Sequence, residues 1–258
     1  MAKGHRSVRE MIERASERVR RSHKGAISER GSTALVLPSV FLSTGALVLD
    51  RLCTGGNPGG IPIGPGQGRV IHLFGEYSTG KSLILDHMCK AAQDAGGIAL
   101  VSETEGSRDP HFAEAIGLNL DELEIQRPET LEEAVDLGLT FHDDIRGQAG
   151  GAEIPFIWGM DSLDTSETLR TSDKGLTESG AWHYGGGKSE ALAAGLRKMV
   201  QRSARFPTSI VLLNQTRDVV QTGPAHFGPK KRTPGGNPPH FYASLEIGLT
   251  PSPLGMVR

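Results

Sequence analysis

The sequence reads Gly75-Glu76-Tyr77-Ser78-Thr79-Gly80-Lys81-Ser82, and these eight residues fit the pattern G-x-x-x-x-G-K-[ST] of a phosphate-binding loop. An apolar run over residues 69–74 predicts a buried strand before the loop, and residues 83–88 predict a helix after it. The glycines let backbone N–H groups turn inward, and the helix N-terminus adds a partial positive charge at the same point. This order predicts a nucleoside triphosphate site, against the alternative of a chance glycine-rich turn with a lysine.

Two side chains of the loop suit particular parts of a nucleotide. Lys81 can reach the β- and γ-phosphates, and the Ser82 hydroxyl can ligate Mg²⁺. Asp161 ends another apolar run, where a carboxylate can hold the magnesium shell opposite Ser82. The alternative for Asp161 is a helix cap or a turn, since Ser162 and Asp164 follow it. The sequence therefore predicts ATP and Mg²⁺ as ligands.

Apolar runs alternate with helical patterns along the rest of the chain. Further buried strands are predicted at residues 97–101, 155–160, 209–213 and 241–250. Helices are predicted at residues 110–116, 130–146 and 188–204. The glycine- and proline-rich stretch 55–68 predicts a surface connection without regular structure. This alternation predicts an α/β fold with a mainly parallel sheet covered on both faces, in which ligands bind beyond the carboxyl ends of the strands.

Polar side chains follow the predicted strands at those carboxyl ends. ATP hydrolysis needs a carboxylate that orients or deprotonates the attacking water, and both Glu103 and Glu105 are candidates that spacing does not separate. Gln215 ends a later strand. Its amide can hydrogen-bond the γ-phosphate and report its loss to the segment that follows.

Two long polar segments follow the strands that end at Asp161 and Gln215. The segment Thr216–Gly236 holds four basic residues, which are Arg217, Lys230, Lys231 and Arg232. Cations among glycines suit a loop that closes on a phosphodiester backbone, whereas the alternative is a solvated charge run. The segment Asp164–Gly187 is a predicted mobile loop. Its end, Gly185–Ser189, imitates a phosphate loop, but no strand precedes it, so we do not interpret it as a second nucleotide site.

Charge is unevenly distributed along this chain of 258 residues, whose formal net charge is only −2. The first thirty residues contain nine Lys and Arg against four Glu. Residues 7–22 predict an amphipathic basic helix that packs on its own domain or on a neighbouring subunit. We therefore expect a basic helical arm over residues 1–32 and one ATPase core over residues 33–258.

The sequence also indicates a compartment. Its two cysteines, Cys53 and Cys89, form no disulfide framework, which favours a reducing cytosol. No apolar stretch is long enough to span a bilayer. The basic N-terminal stretch has no apolar core of a secretory signal. We therefore expect a cytoplasmic protein that does not engage a membrane.

Taken together, these motifs resemble those of the RecA family of DNA recombinases over almost the entire chain. The resemblance rests on residues 24–27, 42–50 with 55–56, 105–110, 214–217, 235–237 and 241–244. It implies an α/β RecA-like ATPase core. It also implies an ATP-dependent recombinase that binds single-stranded DNA as a helical filament, engages double-stranded DNA, and promotes homologous pairing and strand exchange.

The resemblance also implies roles for residues that spacing alone left open. It makes Glu105 the residue that activates water and Gln215 the sensor of the γ-phosphate. It places Asp109 and Phe112 near the adenine. It assigns Asp164–Gly187 and Thr216–Gly236 to two DNA-binding loops, with contacts from Lys188, Arg217, Lys230, Lys231, Arg232, Gly235 and Gly236.

Two departures from the family's pattern leave alternatives open. The second loop is more basic than usual, and the chain stops at Arg258, before the lysines that in the family reach the neighbouring subunit's ATP. We therefore expect a C-terminally truncated core in which efficient hydrolysis is not implied. The alternatives are a ring helicase, a regulatory ATPase, or a truncated form that binds nucleotide and DNA with little turnover.

Overall fold

The computed structural model describes residues 7–23, 40–56, 59–63, 68–106, 108–163, 186–218 and 231–251. The chain divides into two units, Met1–Leu37 and Pro38–Arg258. In the first unit, helix α1 spans Val8–Ser22, which confirms the helix predicted there. Ser7 begins it with a capping box: the Ser7 hydroxyl accepts from the Glu10 N–H, and the Glu10 carboxylate accepts from the Ser7 N–H, both at 3.3 Å.

A six-stranded sheet forms the centre of the second unit. Its strands in chain order are β3 (Val70–Gly75), β4 (Ile98–Glu103), β5 (Leu123–Gln126), β6 (Phe156–Asp161), β7 (Thr208–Gln215) and β10 (Leu245–Leu249). They lie in the order β10-β3-β7-β6-β4-β5, and every neighbouring pair is parallel. The predicted mainly parallel α/β fold is confirmed.

Helices cover both faces of this sheet. They are α2 (Leu47–Thr54), α3 (Lys81–Asp94), α4 (Pro110–Ala115), α5 (Leu131–Gly147), α6 (Gly186–Ser203) and α7 (Pro238–Tyr242). Leu85 and Met88 of α3 pack with Val211 and Leu213 of β7 on one face. Alternate residues of β7 pack with α5 and α6 on the other face. Burial on both faces explains why the strands are almost continuously apolar.

Two short two-stranded sheets accompany the central one. Strand β1 (Val40–Leu42) pairs antiparallel with β2 (Ile61–Ile63), and β8 (Arg217–Asp218) pairs antiparallel with β9 (Lys231–Arg232). The prediction that residues 55–68 lack regular structure was therefore wrong at β2. Ile61 and Ile63 are fully buried against the core, and this burial outweighs the turn-rich composition around them.

The C-terminal prediction also needs a correction. We predicted a strand over residues 241–250, but Phe241 and Tyr242 end helix α7, and the strand begins at Leu245. Pro238 and Pro239 occupy the first helical positions, where proline's fixed φ favours a helix start.

Strand β5 was not predicted. It has four residues and pairs at the edge of the sheet with β4. None of the helices in the described ranges is both long and apolar enough to cross a membrane.

Candidate functional site

The phosphate loop connects β3 to α3 as the sequence predicted. Gly80 lies at the N-cap of α3 with φ 89°, a left-handed conformation that favours glycine. Because Gly80 has no side chain, the first N–H groups of α3 receive no side-chain cap from it. The helix therefore presents donors and its positive end at the loop, which suits an anionic phosphate.

The ammonium group of Lys81 lies inside the loop. Its Nζ donates to the carbonyl oxygens of Gly75 at 3.2 Å and Glu76 at 2.7 Å, and Thr79 Oγ1 also donates to Glu76 at 2.8 Å. Burial lowers the pKa of Lys81, while the carboxylates of Asp161 and Glu105 act in the opposite direction. The Lys81 ammonium group, which the loop carbonyls hold here, can instead bind a phosphate that enters the same loop.

Ser82 and Asp161 meet across the sheet. Ser82 Oγ donates to Asp161 Oδ2 at 2.9 Å. Gly159 leaves room for Leu85 of α3 to pack on β6, because a Cβ there would lie 2.5 Å from Leu85 Cδ2. A hydroxyl and a carboxylate side by side are the oxygen ligands that Mg²⁺ prefers, so the pair fits a magnesium site.

The structure separates the two candidate glutamates. Glu103 is buried at the end of β4, and its Oε1 accepts from the Arg108 N–H at 3.2 Å. Glu105 is half-buried, and its Oε1 accepts from Ser162 Oγ at 2.6 Å and from Gln215 Nε2 at 3.0 Å. Glu105 thus belongs to the polar group beyond the strand ends, whereas Glu103 holds a turn.

Gln215 ends β7, which lies between the phosphate-loop strand β3 and the Asp161 strand β6. The next residue is also attached to the loop: the Thr216 N–H donates to the Gly75 carbonyl at 3.1 Å. The start of the basic segment is therefore bonded to the first residue of the phosphate loop. A shift of the loop can pass directly to that segment.

One feature of the site was not foreseen from the sequence. The Arg108 guanidinium is buried and forms an ion pair with Asp86 of α3, and its Nη2 lies 3.9 Å from Asp161 Oδ2. Burial raises the pKa of Asp161, whereas the Ser82 hydrogen bond and the Arg108 charge lower it. The sequence does contain one indication that Asp86 lies near the site: it follows Ser82 by four residues and therefore shares its face of the helix.

The two residues expected near the adenine lie on and before α4. Asp109 is the N-cap of this helix, and its Oδ1 accepts from the N–H groups of His111 at 2.9 Å and Phe112 at 3.4 Å. Phe112 exposes about half of its surface. Helix capping explains why an aspartate occupies position 109. The binding of adenine by Asp109 and Phe112 stays a prediction.

Only some of the residues that we expect to contact DNA lie within the described part of the chain. Lys188 lies in the first turn of α6, and Gly235 and Gly236 have φ of 88° and 73°. In the two-stranded ladder, Arg217 is paired with Arg232, and Asp218 with Lys231. The ends of the basic segment thus form a stem beside Gln215. Lys230 and residues 164–185 lie outside the described residues, as do residues 24–27 of the resemblance.

A phosphate loop after an inner strand, with a carboxylate at the end of another strand of the same parallel sheet, defines the class of α/β phosphate-loop proteins. Within this class, the chain belongs to the RecA family. The family model described as the RecA N-terminal domain matches residues 10–252.

Two curated proteins similar to this chain are both named Protein RecA. The one from Methylococcus capsulatus is 30% identical over 226 residues, and the one from Rubrobacter xylanophilus is 31% identical over 226 residues. Each alignment covers 88% of this chain and 59% of the relative. The chain thus spans about three fifths of the length of these relatives.

Proposed function

We propose that this chain is an ATP-dependent recombinase that binds single-stranded DNA as a filament and promotes homologous pairing and strand exchange. The observation that carries the proposal is the contact between Gln215 and Glu105, with the neighbouring bond from Thr216 to Gly75. These bonds join a nucleotide site to the start of a basic segment. Membership of the RecA family supports the same function.

The nucleotide part of the proposal assigns a task to each loop residue. The N–H groups of residues 75–82 and the Lys81 ammonium bind the phosphates of ATP. Ser82 and Asp161 hold Mg²⁺, which when bound neutralises charge on the phosphate oxygens. Phe112 offers its exposed ring to the adenine base.

Glu105 orients and deprotonates the water that attacks the γ-phosphate. Its Oε1 accepts hydrogen bonds from Ser162 and Gln215, and the Ser162 bond holds Glu105 at the strand ends when Gln215 turns to the γ-phosphate. General bases of this kind contribute about 10² to 10⁴ in rate. The structure therefore supports a DNA-stimulated ATPase in which Glu105 is the catalytic base.

Gln215 couples the nucleotide to DNA in this proposal. Its amide leaves Glu105 to donate to the γ-phosphate, and it returns when that phosphate is lost. Thr216 and Arg217 follow in the chain, so the movement reaches the stem of the basic segment within two residues. Differential contacts of this kind are what an allosteric coupling requires.

The basic segment binds the phosphodiester backbone. Arg217, Lys230, Lys231 and Arg232 supply charge without reading bases, so binding is largely independent of sequence and weakens with salt. Lys188 adds a cation, and Gly235 and Gly236 allow the chain to turn close to the backbone. The N-terminal helix α1 packs on the next subunit of the filament.

A pairing assay tests this proposal. The protein is incubated with a labelled single strand, a non-hydrolysable ATP analogue and Mg²⁺, and then with a homologous or a heterologous duplex. We expect joint molecules with the homologous duplex alone, and open helical filaments in electron micrographs. Closed rings, or strand binding without any homology-dependent joint molecules, would overturn the recombinase assignment in favour of another RecA-core ATPase.

A further inference from the structure

Three side chains of types that can bind metals meet beside β10, the edge strand next to the phosphate-loop strand β3. His72 is on β3, His240 is on helix α7, and Glu246 is on β10, directly opposite His72 in the parallel ladder. One ligand atom from each residue lies within 4.8 Å of the other two. None of these residues takes part in the nucleotide site described above.

We propose that His72, His240 and Glu246 bind a divalent transition-metal ion, and that zinc is the ion which their donor set fits best. Two imidazoles and one carboxylate leave one position of a tetrahedral ion for water. Mg²⁺ and Ca²⁺ prefer oxygen ligands and suit the site less well.

The first argument is an unsatisfied buried nitrogen. His72 is 0% exposed, and within the described residues its Nδ1 has no hydrogen-bond partner. The nearest carboxylate oxygen, Glu246 Oε1, is 3.7 Å away, beyond hydrogen-bond reach. Burying an unpaired polar atom is costly. A metal ion between these two atoms removes that cost, because ligands about 2.0–2.2 Å from zinc lie about 3.4 Å apart.

The second argument concerns His240. Its Nδ1 lies at a hydrogen-bond distance of 2.7 Å from Glu246 Oε1, and these two atoms must move apart to about 3.4 Å to bind one zinc ion. Its other ring nitrogen, Nε2, is 3.0 Å from Thr233 Oγ1. A donor bond from Nε2 to Thr233 leaves Nδ1 free for a metal, and such a bond is the usual way in which a ligating histidine is oriented.

His72 also contacts a polar side chain through its second ring nitrogen. Its Nε2 is 3.5 Å from the Asn214 amide, whose Oδ1 is buried without a partner in the described chain. Asn214 Nδ2 also donates to the Pro234 carbonyl oxygen at 2.9 Å, which fixes the orientation of this amide.

Access and rigidity favour binding as well. His240 and Glu246 are 41% and 39% exposed, so an ion can enter and both side chains can adjust. His72 and Glu246 lie on paired strands, which hold their backbones at a fixed spacing. A bound ion would fasten α7, which follows the basic segment, to the strand that carries the phosphate loop.

The test uses the full chain without a histidine tag, stripped with a chelator, in buffer without nucleotide. Co²⁺ is titrated while visible absorption is recorded, and Zn²⁺ then displaces it. We expect one ion per chain with a tetrahedral cobalt spectrum. His240→Ala and Glu246→Gln should each weaken zinc binding by more than about tenfold, the loss seen even for outer-shell partners. His111→Ala, an exposed histidine on α4, should bind like the unaltered chain.

Thermal unfolding gives a second readout that does not depend on the spectrum. Zinc should raise the Tm of the unaltered chain and of His111→Ala, and should raise it much less in His240→Ala. The proposal is overturned if the unaltered chain binds no zinc stoichiometrically. Zinc affinities of the His240 and Glu246 variants that equal that of the unaltered chain would overturn it as well. So would a cobalt spectrum with thiolate bands from Cys53 or Cys89.

Discussion

Gln215 Nε2 donates a hydrogen bond to Glu105 Oε1 at 3.0 Å, although the two residues are 110 positions apart in the chain. They meet because β7 and the turn after β4 end at the same edge of a parallel sheet. The bond joins the proposed γ-phosphate sensor to the proposed catalytic base. Nucleotide state and DNA affinity can therefore be coupled through two neighbouring side chains.

Replacing the sensor should uncouple the two functions. We expect Gln215→Ala to bind a fluorescent ATP analogue within about threefold of the unaltered chain, since the loop donors remain. Its affinity for single-stranded DNA should no longer rise with the ATP analogue, because no amide is left to follow the γ-phosphate. Fluorescence anisotropy of a labelled oligonucleotide measures this. Gln148→Ala, on the exposed end of α5, serves as the control and should keep the ATP response.

The two glutamates should differ in their effect on turnover. Glu105→Gln should lower DNA-stimulated phosphate release by about 10² or more while nucleotide still binds, because the general base is lost. Glu103→Gln keeps an acceptor for the Arg108 N–H and should change the rate only a few-fold. A coupled phosphate-release assay compares them. A larger loss in Glu103→Gln than in Glu105→Gln would reverse the assignment.

Arg108 should control the pH dependence of magnesium-dependent nucleotide binding. Its positive charge favours the ionised Asp161 carboxylate, so it lowers a pKa that burial raises. Without this charge the pKa of Asp161 rises further, and the carboxylate is protonated at a higher pH than before. In the double variant Asp86→Leu/Arg108→Leu, the acidic loss of binding should therefore move to higher pH. Titration of the Mg²⁺-dependent analogue affinity from acid to neutral pH measures the shift, and an unchanged profile would contradict it.

Substitutions of Arg108 and Asp86, the same buried ion pair, should change the free energy of unfolding in a strongly non-additive way. Arg108→Leu leaves Asp86 buried and unpaired, and should lower the free energy of unfolding by about 3–5 kcal/mol. Removing both charges in Asp86→Leu/Arg108→Leu should recover most of this loss, because replacing a buried pair with apolar residues is often close to neutral. Urea unfolding of the single and double variants forms the cycle. Additive losses would show that the pair does not interact as described.

The sequence predicted the central fold and most of the strand-end residues because their signals are local. Strands buried on both faces are continuously apolar, and the phosphate loop has a fixed spacing between its strand and helix. Asp161 was located in the same way, as the first polar residue after such a run, and Gln215 as the second polar residue after another. Parallel strands then bring them to one edge.

The missed features depend on contacts between distant segments. Asp86 and Arg108 resemble ordinary surface charges until α3 and the turn after β4 pack together and bury them. Ile61 and Ile63 form a strand because Val40–Leu42 pairs with them, although their neighbours suggest a turn. His72 lies in an apolar run, and the two residues proposed to bind a metal with it, His240 and Glu246, lie far along the chain. Such relations appear only in the folded chain.

The most direct test of the central proposal compares the affinity of the unaltered chain for single-stranded DNA in two nucleotide states. The dissociation constant of a labelled oligonucleotide is measured with Mg²⁺ and either a non-hydrolysable ATP analogue or ADP, at one fixed salt concentration. We expect binding at least about fivefold tighter with the ATP analogue, within the usual range for coupled sites. Equal affinities in the two states, with nucleotide shown to be bound, would contradict a switch that runs from the phosphate loop through Gln215 to DNA.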